Sequence, residues 1–310
     1  MSTMPGRAVV CAAQIAPVYM NLADTAGKVI DAIGEAGRAG ARLIVFPETV
    51  LPGYPYWTLI HSPFEARTRF AATLYQQAVR LDSETVRLIC DAARAAACTV
   101  SLGINELEGG TIYNSQLMIG ADGSILGCRR KLVPTHHERI TWGRGDGSDL
   151  RAYDTEIGRV GSLICYEHTN PLFRYAMQSQ GERIHVANWP GGMPWTDDLI
   201  DASIRSYAVE SAAFVVSVTS VFSADAAHYL GEDASRVLRI GGGCTAIVAP
   251  GGRYLARADA DREELLTAEL DFNLIADWKH IVDGSGHYAR PDVVSLHVDR
   301  RKQTSVIVIE

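Results

Sequence analysis

Hydrophobic and polar positions along the chain follow two periods, one typical of strands and the other of helices. Short apolar runs rich in β-branched residues, bounded by glycine, proline or charged residues, predict strands. Apolar residues at three- and four-residue spacing predict the helices between them. The predicted strands cover residues 9–14, 43–46, 99–105, 113–119, 124–131, 151–153, 160–165, 184–187, 214–219, 244–248, 253–256 and 265–270. The predicted helices cover residues 21–39, 63–77, 83–97, 197–211 and 273–278, and a further helix begins near Pro171.

The interleaving of strands and helices indicates an α/β architecture. Two turn signals, Ala121-Asp-Gly-Ser124 and Pro250-Gly-Gly252, join neighbouring strands as hairpins and therefore predict mixed sheets. No linker rich in proline, serine or charge divides the sequence. We expect one domain over residues 1–310, of which 295–310 form a short C-terminal tail.

Composition and charge narrow the class of protein. The 310 residues are 47% hydrophobic and 21% charged, which is enough apolar material for a large core. The formal charge is −7 and no basic block stands out, so we expect neither a nucleic-acid nor a membrane partner. The longest uncharged apolar run, 211–224, is too short for a bilayer. The 6 cysteines lie far apart, which predicts reduced thiols and a cytoplasmic protein.

Three of the predicted strands end in chemically reactive side chains. Glu48 follows the second strand, Lys131 ends the fifth, and Cys165 ends the seventh. Strand ends are where α/β folds place reactive groups, although each of these residues alone is also typical of a loop, a surface or a core. A thiol with a pKa of about 8.5 needs a base to become a nucleophile. A carboxylate would take that proton, and a nearby cation would stabilise developing charge.

The segments around these residues are Phe46-Pro47-Glu48, Arg130-Lys131-Leu132 and Cys165-Tyr166-Glu167. They resemble the three motifs of the nitrilase (carbon–nitrogen hydrolase) superfamily, and in particular its nitrilase branch. The likeness extends from Val9 to about Val294. Further segments that resemble this branch are 52–57, 130–139, 142–147, 153–158 and 286–293.

The resemblance implies a four-layer α-β-β-α sandwich and assigns roles to the reactive residues. Cys165 would be the nucleophile, Glu48 the general base and acid, and Lys131 the electrostatic stabiliser. Glu138 matches an additional glutamate of the family, which positions the lysine or the substrate.

The reaction implied by the resemblance is hydrolysis of a small organic nitrile to the carboxylic acid and ammonia, through a thioimidate and a thioester on Cys165. Thiol, base and cation supply the whole reaction, so we expect no cofactor and no metal ion. The helices after the nucleophile, near 171–180 and 197–211, would pack against a second copy of the chain. The implied assembly is a homo-oligomer, a dimer or higher.

Other activities remain open at this stage. Tyr166 stands where nitrilases often have tryptophan, and amidases of the superfamily also carry tyrosine there, so an amidase or carbamoylase is the second hypothesis. A nitrile or cyanide hydratase also remains open. It would form the same tetrahedral intermediate but expel the thiolate from it, which releases the amide. A catalytically silent binding protein is the third class. A metal site at His136-His137-Glu138 is not expected, because adjacent histidines on an extended segment point to opposite sides.

Six aromatic or histidine side chains are candidates for substrate binding. Tyr54 and Trp57 follow Glu48 closely, and the resemblance implies that the backbone N–H of Tyr166 helps to stabilise an oxyanion. A structural packing role accounts for most of these residues about as well as substrate binding does. The candidates are Tyr54, Trp57, His136, Tyr166, His168 and Trp189.

Overall fold

In the computed structural model, the described residues are 5–304 and 306, so residues 305 and 307–310 of the predicted tail lie outside the described part. The strands are β1 Arg7–Gln14, β2 Ala41–Val45, β3 Thr99–Glu108, β4 Thr111–Ile119, β5 Ile125–Arg130, β6 Tyr153–Thr155, β7 Gly158–Ile164, β8 Ile184–Trp189, β9 Phe214–Thr219, β10 Ala246–Val248, β11 Tyr254–Arg257 and β12 Glu264–Asp271. The α-helices are α1 Leu22–Arg38, α2 Trp57–Ile60, α3 Pro63–Ala66, α4 Ala72–Gln77, α5 Glu84–Ala96, α6 Pro171–Gln178, α7 Asp197–Ser211, α8 Ala224–Leu230, α9 Ala234–Val237 and α10 Asn273–Ile281.

The strands form two six-stranded sheets. The first has the order β12-β1-β2-β3-β4-β5 and the second the order β11-β10-β9-β8-β7-β6. In each sheet three central strands run parallel, β1-β2-β3 and β7-β8-β9. The remaining strands pair antiparallel at the flanks. The mixed sheets predicted from the hairpin signals are therefore confirmed.

Helices cover the outer face of each sheet, and the inner faces pack together. Because successive side chains of a strand point to opposite faces, neighbours on β2 enter different clusters. Leu43 packs between the sheets with Val186 of β8, whereas Ile44 packs against Ile33 of α1. Ile204 of α7 belongs to the cluster on the outer face of the second sheet. The layers are helix, sheet, sheet and helix, which confirms the predicted four-layer α-β-β-α sandwich.

Local sequence signals set several helix starts. The side chain of Asn21 accepts a hydrogen bond from the backbone of Asp24 and caps α1. Ser83 caps α5 as predicted, accepting from the backbone N–H of Val86. Pro171 occupies the first turn of α6, where its missing N–H costs nothing.

The structure also differs from the predicted elements in several places. The single helix predicted over 63–77 is divided into α3, a π-helical turn over Arg67–Ala71, and α4. The strand predicted over 160–165 ends at Ile164, before the cysteine. Helices α8 and α9 were not predicted, because short, mostly alanine-lined apolar faces give a weak helical period. Among the described residues, no helix is long and apolar enough to cross a membrane.

Candidate active site

The reactive side chains predicted from three separate strand ends lie together in the structure. A carboxylate oxygen of Glu48, one of Glu138 and the Sγ atom of Cys165 all lie within 4.8 Å of one another. The ammonium of Lys131 donates to Glu48 Oε1 at 2.8 Å and to Glu138 Oε2 at 2.7 Å. All four side chains are buried. The cluster therefore brings a thiol, two carboxylates and one cation into contact, away from bulk water.

Glu48 lies in the loop after β2, which packs directly on β3. A Cβ atom on Gly103 of β3 would lie 2.1 Å from the carbonyl oxygen of Pro47, so only glycine leaves room for this loop. Oε1 of Glu48 accepts hydrogen bonds from Lys131 and, at 2.5 Å, from Nδ2 of Asn114. Oε2 has no hydrogen-bond partner within the described part of the chain. Oε2 is consequently the oxygen left free to exchange a proton.

The protonation states follow from burial and from neighbouring charges. Burial raises the pKa of Glu48 to about 7, an effect that the ammonium of Lys131 opposes and the charge of Glu138 reinforces. Burial, together with the charge of Glu48, raises the pKa of the Cys165 thiol well above its ordinary value. Burial acts against the charge on Lys131, but its anionic neighbours raise its pKa well above the ordinary value. The resting site thus holds a thiol, an ammonium and a carboxyl group poised near neutral pH.

Glu138 is held by hydrogen bonds from several sides. It lies on a 3₁₀ turn, His136–Ile140, that follows the lysine loop. Its carboxylate accepts from the hydroxyl of Tyr54 at 2.8 Å, from the backbone N–H of Thr135 at 2.5 Å and from Lys131. With its position set in this way, Glu138 fixes the ammonium between two carboxylates.

Cys165 stands at the junction between β7 and a 3₁₀ turn, Cys165–Thr169. Its φ angle is +52°, a left-handed conformation that costs a non-glycine residue about 1 kcal/mol or more. The backbone N–H of Tyr166 lowers the pKa of the thiol, against the larger effect of burial. The sharp change of direction after Ile164 turns the thiol out of the sheet and towards the two carboxylates.

A buried ion pair joins the lysine and cysteine loops, and sequence reasoning missed it. The carboxylate of Glu167 accepts from Arg129 at 2.6 and 3.1 Å. It also accepts from the backbone N–H groups of Leu132 at 2.7 Å and Ile164 at 2.8 Å, which are neighbours of the catalytic candidates. Arg129 precedes the lysine motif and Glu167 ends the cysteine motif, but spacing along the chain does not reveal that they pair.

A cavity of about 330 Å³ borders Cys165 and Glu138. Three of the predicted substrate-binding residues line it: Tyr54, His136 and Tyr166. Leu59, Met193 and Trp195 also line it and were not predicted, because they lie in segments without a recognisable motif. A larger cavity, of about 620 Å³, lies beside β3, β4 and β5, and none of the four clustered residues borders it.

The other three predicted substrate-binding residues do not line the 330 Å³ cavity. Trp57 stacks on Phe70, with ring centroids 5.2 Å apart. His168 donates from Nδ1 to the carbonyl oxygen of Cys165 at 2.8 Å, and Trp189 stacks on His168 at 4.9 Å. His168 and Trp189 therefore pack behind Cys165, whereas Trp57 belongs to the aromatic cluster that includes Phe70.

The cluster also offers potential metal ligands. Glu48, Glu138 and Cys165 form one group, within the described residues, whose ligand atoms are close enough to hold an ion. The ammonium of Lys131 already bonds to both carboxylates and takes the place of a cation between them. The donor set therefore suits thiol and acid–base chemistry. The extended segment predicted at His136-His137 was wrong, because these residues lie on the 3₁₀ turn.

Comparison with known proteins agrees with this geometry. The sequence profile of the carbon-nitrogen hydrolase family matches residues 9–280. A protein named nitrilase 3, from an unidentified prokaryote, is 43% identical over 294 residues, covering 93% of this chain and 89% of that protein. An aliphatic nitrilase from Rhodococcus rhodochrous is 40% identical over 307 residues, covering 96% and 84%.

A solved structure shows the same fold. The crystal structure of a carbon-nitrogen hydrolase from Helicobacter pylori G27 superposes with a TM-score of 0.74 at 18% identity, covering 93% of this chain and 97% of that one. Since the family profile and the relatives each match most of the sequence, this chain belongs to the carbon–nitrogen hydrolase family and, within it, to the nitrilase branch.

Proposed function

We propose that the protein is a nitrilase, which hydrolyses an organic nitrile to the carboxylic acid and ammonia with Cys165 as nucleophile. The observation that carries the proposal is the buried cluster in which Cys165 Sγ, Glu48 and Glu138 lie within 4.8 Å around the ammonium of Lys131. The names of the relatives that match most of the chain support the choice of a nitrile as substrate.

The first half of the reaction builds a covalent bond to sulfur. Glu48 takes the thiol proton of Cys165 on its unpartnered oxygen while the sulfur adds to the nitrile carbon. The nitrile nitrogen receives that proton, and a thioimidate results. A carboxyl group with a pKa of about 7 is suited to both the uptake and the return of the proton.

The second half releases ammonia and then the acid. Glu48 activates a water molecule, which adds to the thioimidate carbon and gives a tetrahedral intermediate. The ammonium of Lys131 and the backbone N–H of Tyr166 stabilise the charge that develops there. Protonation of the nitrogen expels ammonia and leaves a thioester, and a second water molecule releases the carboxylic acid and restores the thiol.

Paired substrates test the proposal. Wild-type protein and Cys165→Ala would be incubated with a panel of aromatic, arylaliphatic and aliphatic nitriles and with the matching amides, and products measured by mass spectrometry. We expect acid and ammonia from nitriles with the wild type and none with Cys165→Ala. Turnover of amides alone would instead indicate an amidase or carbamoylase, and amide as the main product would indicate a hydratase. No turnover of any compound would favour a binding protein.

We also propose that the enzyme assembles as a homo-oligomer through α6 and α7. Leu172 of α6 and Val209 of α7 are 59% and 42% exposed, and the two helices lie side by side, joined by a hydrogen bond from Arg174 to Ser206, so together they offer a second copy an apolar surface. Leu172→Glu should lower the mass measured by sedimentation, whereas Phe64→Glu, at a 67% exposed site on α3, should not. Since all six cysteines are free thiols, we propose a reducing compartment, the cytoplasm.

A further inference from the structure

Behind the nucleophile, four buried side chains continue a chain of hydrogen bonds that the proposed reaction does not use. The Nδ1 atom of His168 donates to the carbonyl oxygen of Cys165 at 2.8 Å. Its Nε2 atom lies 3.0 Å from Nε2 of His185. Nδ1 of His185 lies 3.1 Å from Oε2 of Glu182, and the hydroxyl of Tyr207 donates to the same oxygen at 2.5 Å. The chain thus runs from the cysteine turn, through β8, to α7.

Packing leaves these hydrogen-bonded side chains little freedom to move. The ring of His185 stacks on that of Tyr207 with centroids 3.7 Å apart, and His168 stacks on Trp189. A Cβ atom on Gly161 of β7 would lie 1.5 Å from Oε1 of Glu182, so the strand beside the carboxylate must carry glycine. Both imidazoles are fully buried, and any hydrogen bond that they lose has no water to replace it.

The hydrogen bonds fix the number of protons that His168, His185 and Glu182 share. Nδ1 of His168 must carry a proton, because a carbonyl oxygen only accepts. A second proton lies between the two Nε2 atoms, and a third between His185 and Glu182. Two neutral imidazoles and an ionised carboxylate supply only two protons. The cluster of His168, His185 and Glu182 therefore holds one proton more than these ordinary neutral-pH forms.

The surrounding charges indicate where the extra proton lies. Burial lowers the pKa of His168 well below its ordinary value, and His185 and the cations Arg129 and Arg174 act in the same direction. His168 is therefore neutral and accepts from His185 through Nε2. Since His185 then donates through its Nε2 atom, the extra proton is the one in the contact between its Nδ1 atom and Glu182.

We propose that His168, His185 and Glu182 form a proton-sharing positioning network that holds the carbonyl oxygen of Cys165 and so keeps the nucleophile in its left-handed conformation. The inference rests on the proposed function only for its activity readout. Cys165 needs such support, since its backbone conformation is strained and persists only where its surroundings determine it. None of the three residues touches the reacting atoms in this proposal. They act through the backbone of the cysteine.

Two variants of Glu182 separate positioning from simple loss of packing. In Glu182→Gln, the amide N–H₂ donates to Nδ1 of His185 and its oxygen accepts from Tyr207, so every hydrogen bond survives without the extra proton. In Glu182→Leu the chain is broken at His185. We expect Glu182→Gln to keep kcat within about threefold of the wild type, and Glu182→Leu to lower kcat about tenfold or more with KM little changed.

A second pair tests the bond to the cysteine. Asparagine carries its amide nitrogen at the position of Nδ1, whereas glutamine carries it at that of Nε2. We expect His168→Gln to lower kcat about tenfold or more, and His168→Asn to restore part of that loss. His61→Gln is the control, because His61 also binds a backbone carbonyl, that of Leu230, but lies outside the network. It should leave kcat unchanged.

A proton count by NMR is independent of activity. In ¹H spectra of ¹⁵N-histidine-labelled protein, the wild type should show one more low-field hydrogen-bonded proton in this cluster than Glu182→Gln does. Equal proton counts, or equal kcat in Glu182→Gln and Glu182→Leu, would overturn the network even if the wild type hydrolyses nitriles. A wild type without nitrile turnover would overturn the proposed function and leave the proton count to decide on the network. Dispersed spectra establish that each variant is folded.

Discussion

The hydrogen bond from Asn114 to Glu48 makes a quantitative prediction for the pH dependence of activity. Asn114 donates to Oε1 of the carboxylate at 2.5 Å, and its own Oδ1 has no partner within the described part of the chain. Asn114→Leu keeps the branched shape of the side chain and removes this bond. Because the bond stabilises the ionised form of Glu48, its loss must raise the pKa of the carboxyl group further.

The size of the shift follows from the strength of the bond. A hydrogen bond to a charged group contributes about 1.5–3 kcal/mol, which corresponds to about 1 to 2 pH units. The wild-type pKa of Glu48 is about 7, so kcat/KM should fall about tenfold per pH unit below that value. In Asn114→Leu the same fall should begin about 1 to 2 units higher, with the plateau at alkaline pH nearly preserved.

The same group makes stability depend on pH. The pKa of Glu48 is raised from 4.5 in the unfolded chain to about 7 in the fold, so between these values the folded state binds a proton that the unfolded state has released. Its contribution to the free energy of unfolding is complete below pH 4.5 and is lost as the pH rises through about 7. In Asn114→Leu this loss should continue to higher pH.

The assay is a pH profile of kcat/KM with a nitrile that does not titrate, from about pH 5 to 10. Gln116→Leu is the matched control, because Gln116 lies two residues further along β4, is equally buried and donates to Ser101 instead of Glu48. It should leave the midpoint unchanged. If Asn114→Leu kept the wild-type midpoint, or shifted it to lower pH, the assignment of the acid limb to Glu48 would be wrong.

Three further substitutions test other parts of the site. Lys131→Met should abolish turnover and lower the free energy of unfolding by about 3–5 kcal/mol, measured by urea denaturation, because it leaves two buried carboxylates without a cation. Arg129→Met should destabilise by a similar amount, whereas Arg87→Met, which breaks exposed ion pairs, should cost less than about 1 kcal/mol. Equal losses in these two would contradict the importance of burial. Gly103→Ala should reduce kcat, because its Cβ would collide with the loop that carries Glu48.

Local patterns in the sequence predict much of the fold. The alternation of β-branched and polar residues gave most strands within a few residues, and Ser83 was identified as a helix cap from its side chain alone. Local sequence patterns did not predict the elements whose structure is decided by tertiary packing. The π turn at Arg67–Ala71 interrupts a sequence whose apolar period is helical throughout. Helices α8 and α9 gain stability from the aromatic cluster that they cover, which includes Phe222.

The reactive residues could be named from their motifs, but their supporting contacts could not. Glu48 reaches Asn114 only because its loop crosses β3 at Gly103, and that crossing depends on the strand order. Arg129 lies on β5 of the first sheet and Glu167 on the 3₁₀ turn that follows β7 of the second, and they pair because the two sheets are stacked face to face. Spacing along the chain carries no information about such contacts.

The electrostatics of the cluster resolve an apparent conflict in the proposed chemistry. Burial raises the pKa of the Cys165 thiol, which by itself makes a poor nucleophile at neutral pH. Burial also raises the pKa of Glu48, the group that receives the proton. When the proton moves from the Cys165 thiol to the Glu48 carboxylate, a negative charge moves from the carboxylate to the sulfur. The net charge of the buried cluster stays the same, so much of the cost of desolvation cancels between the two states. Lys131, which bonds to Glu48 and Glu138, stays close to the charge on either side of the transfer. The difference between the two pKa values therefore governs the reactivity of the thiol, and burial need not suppress it.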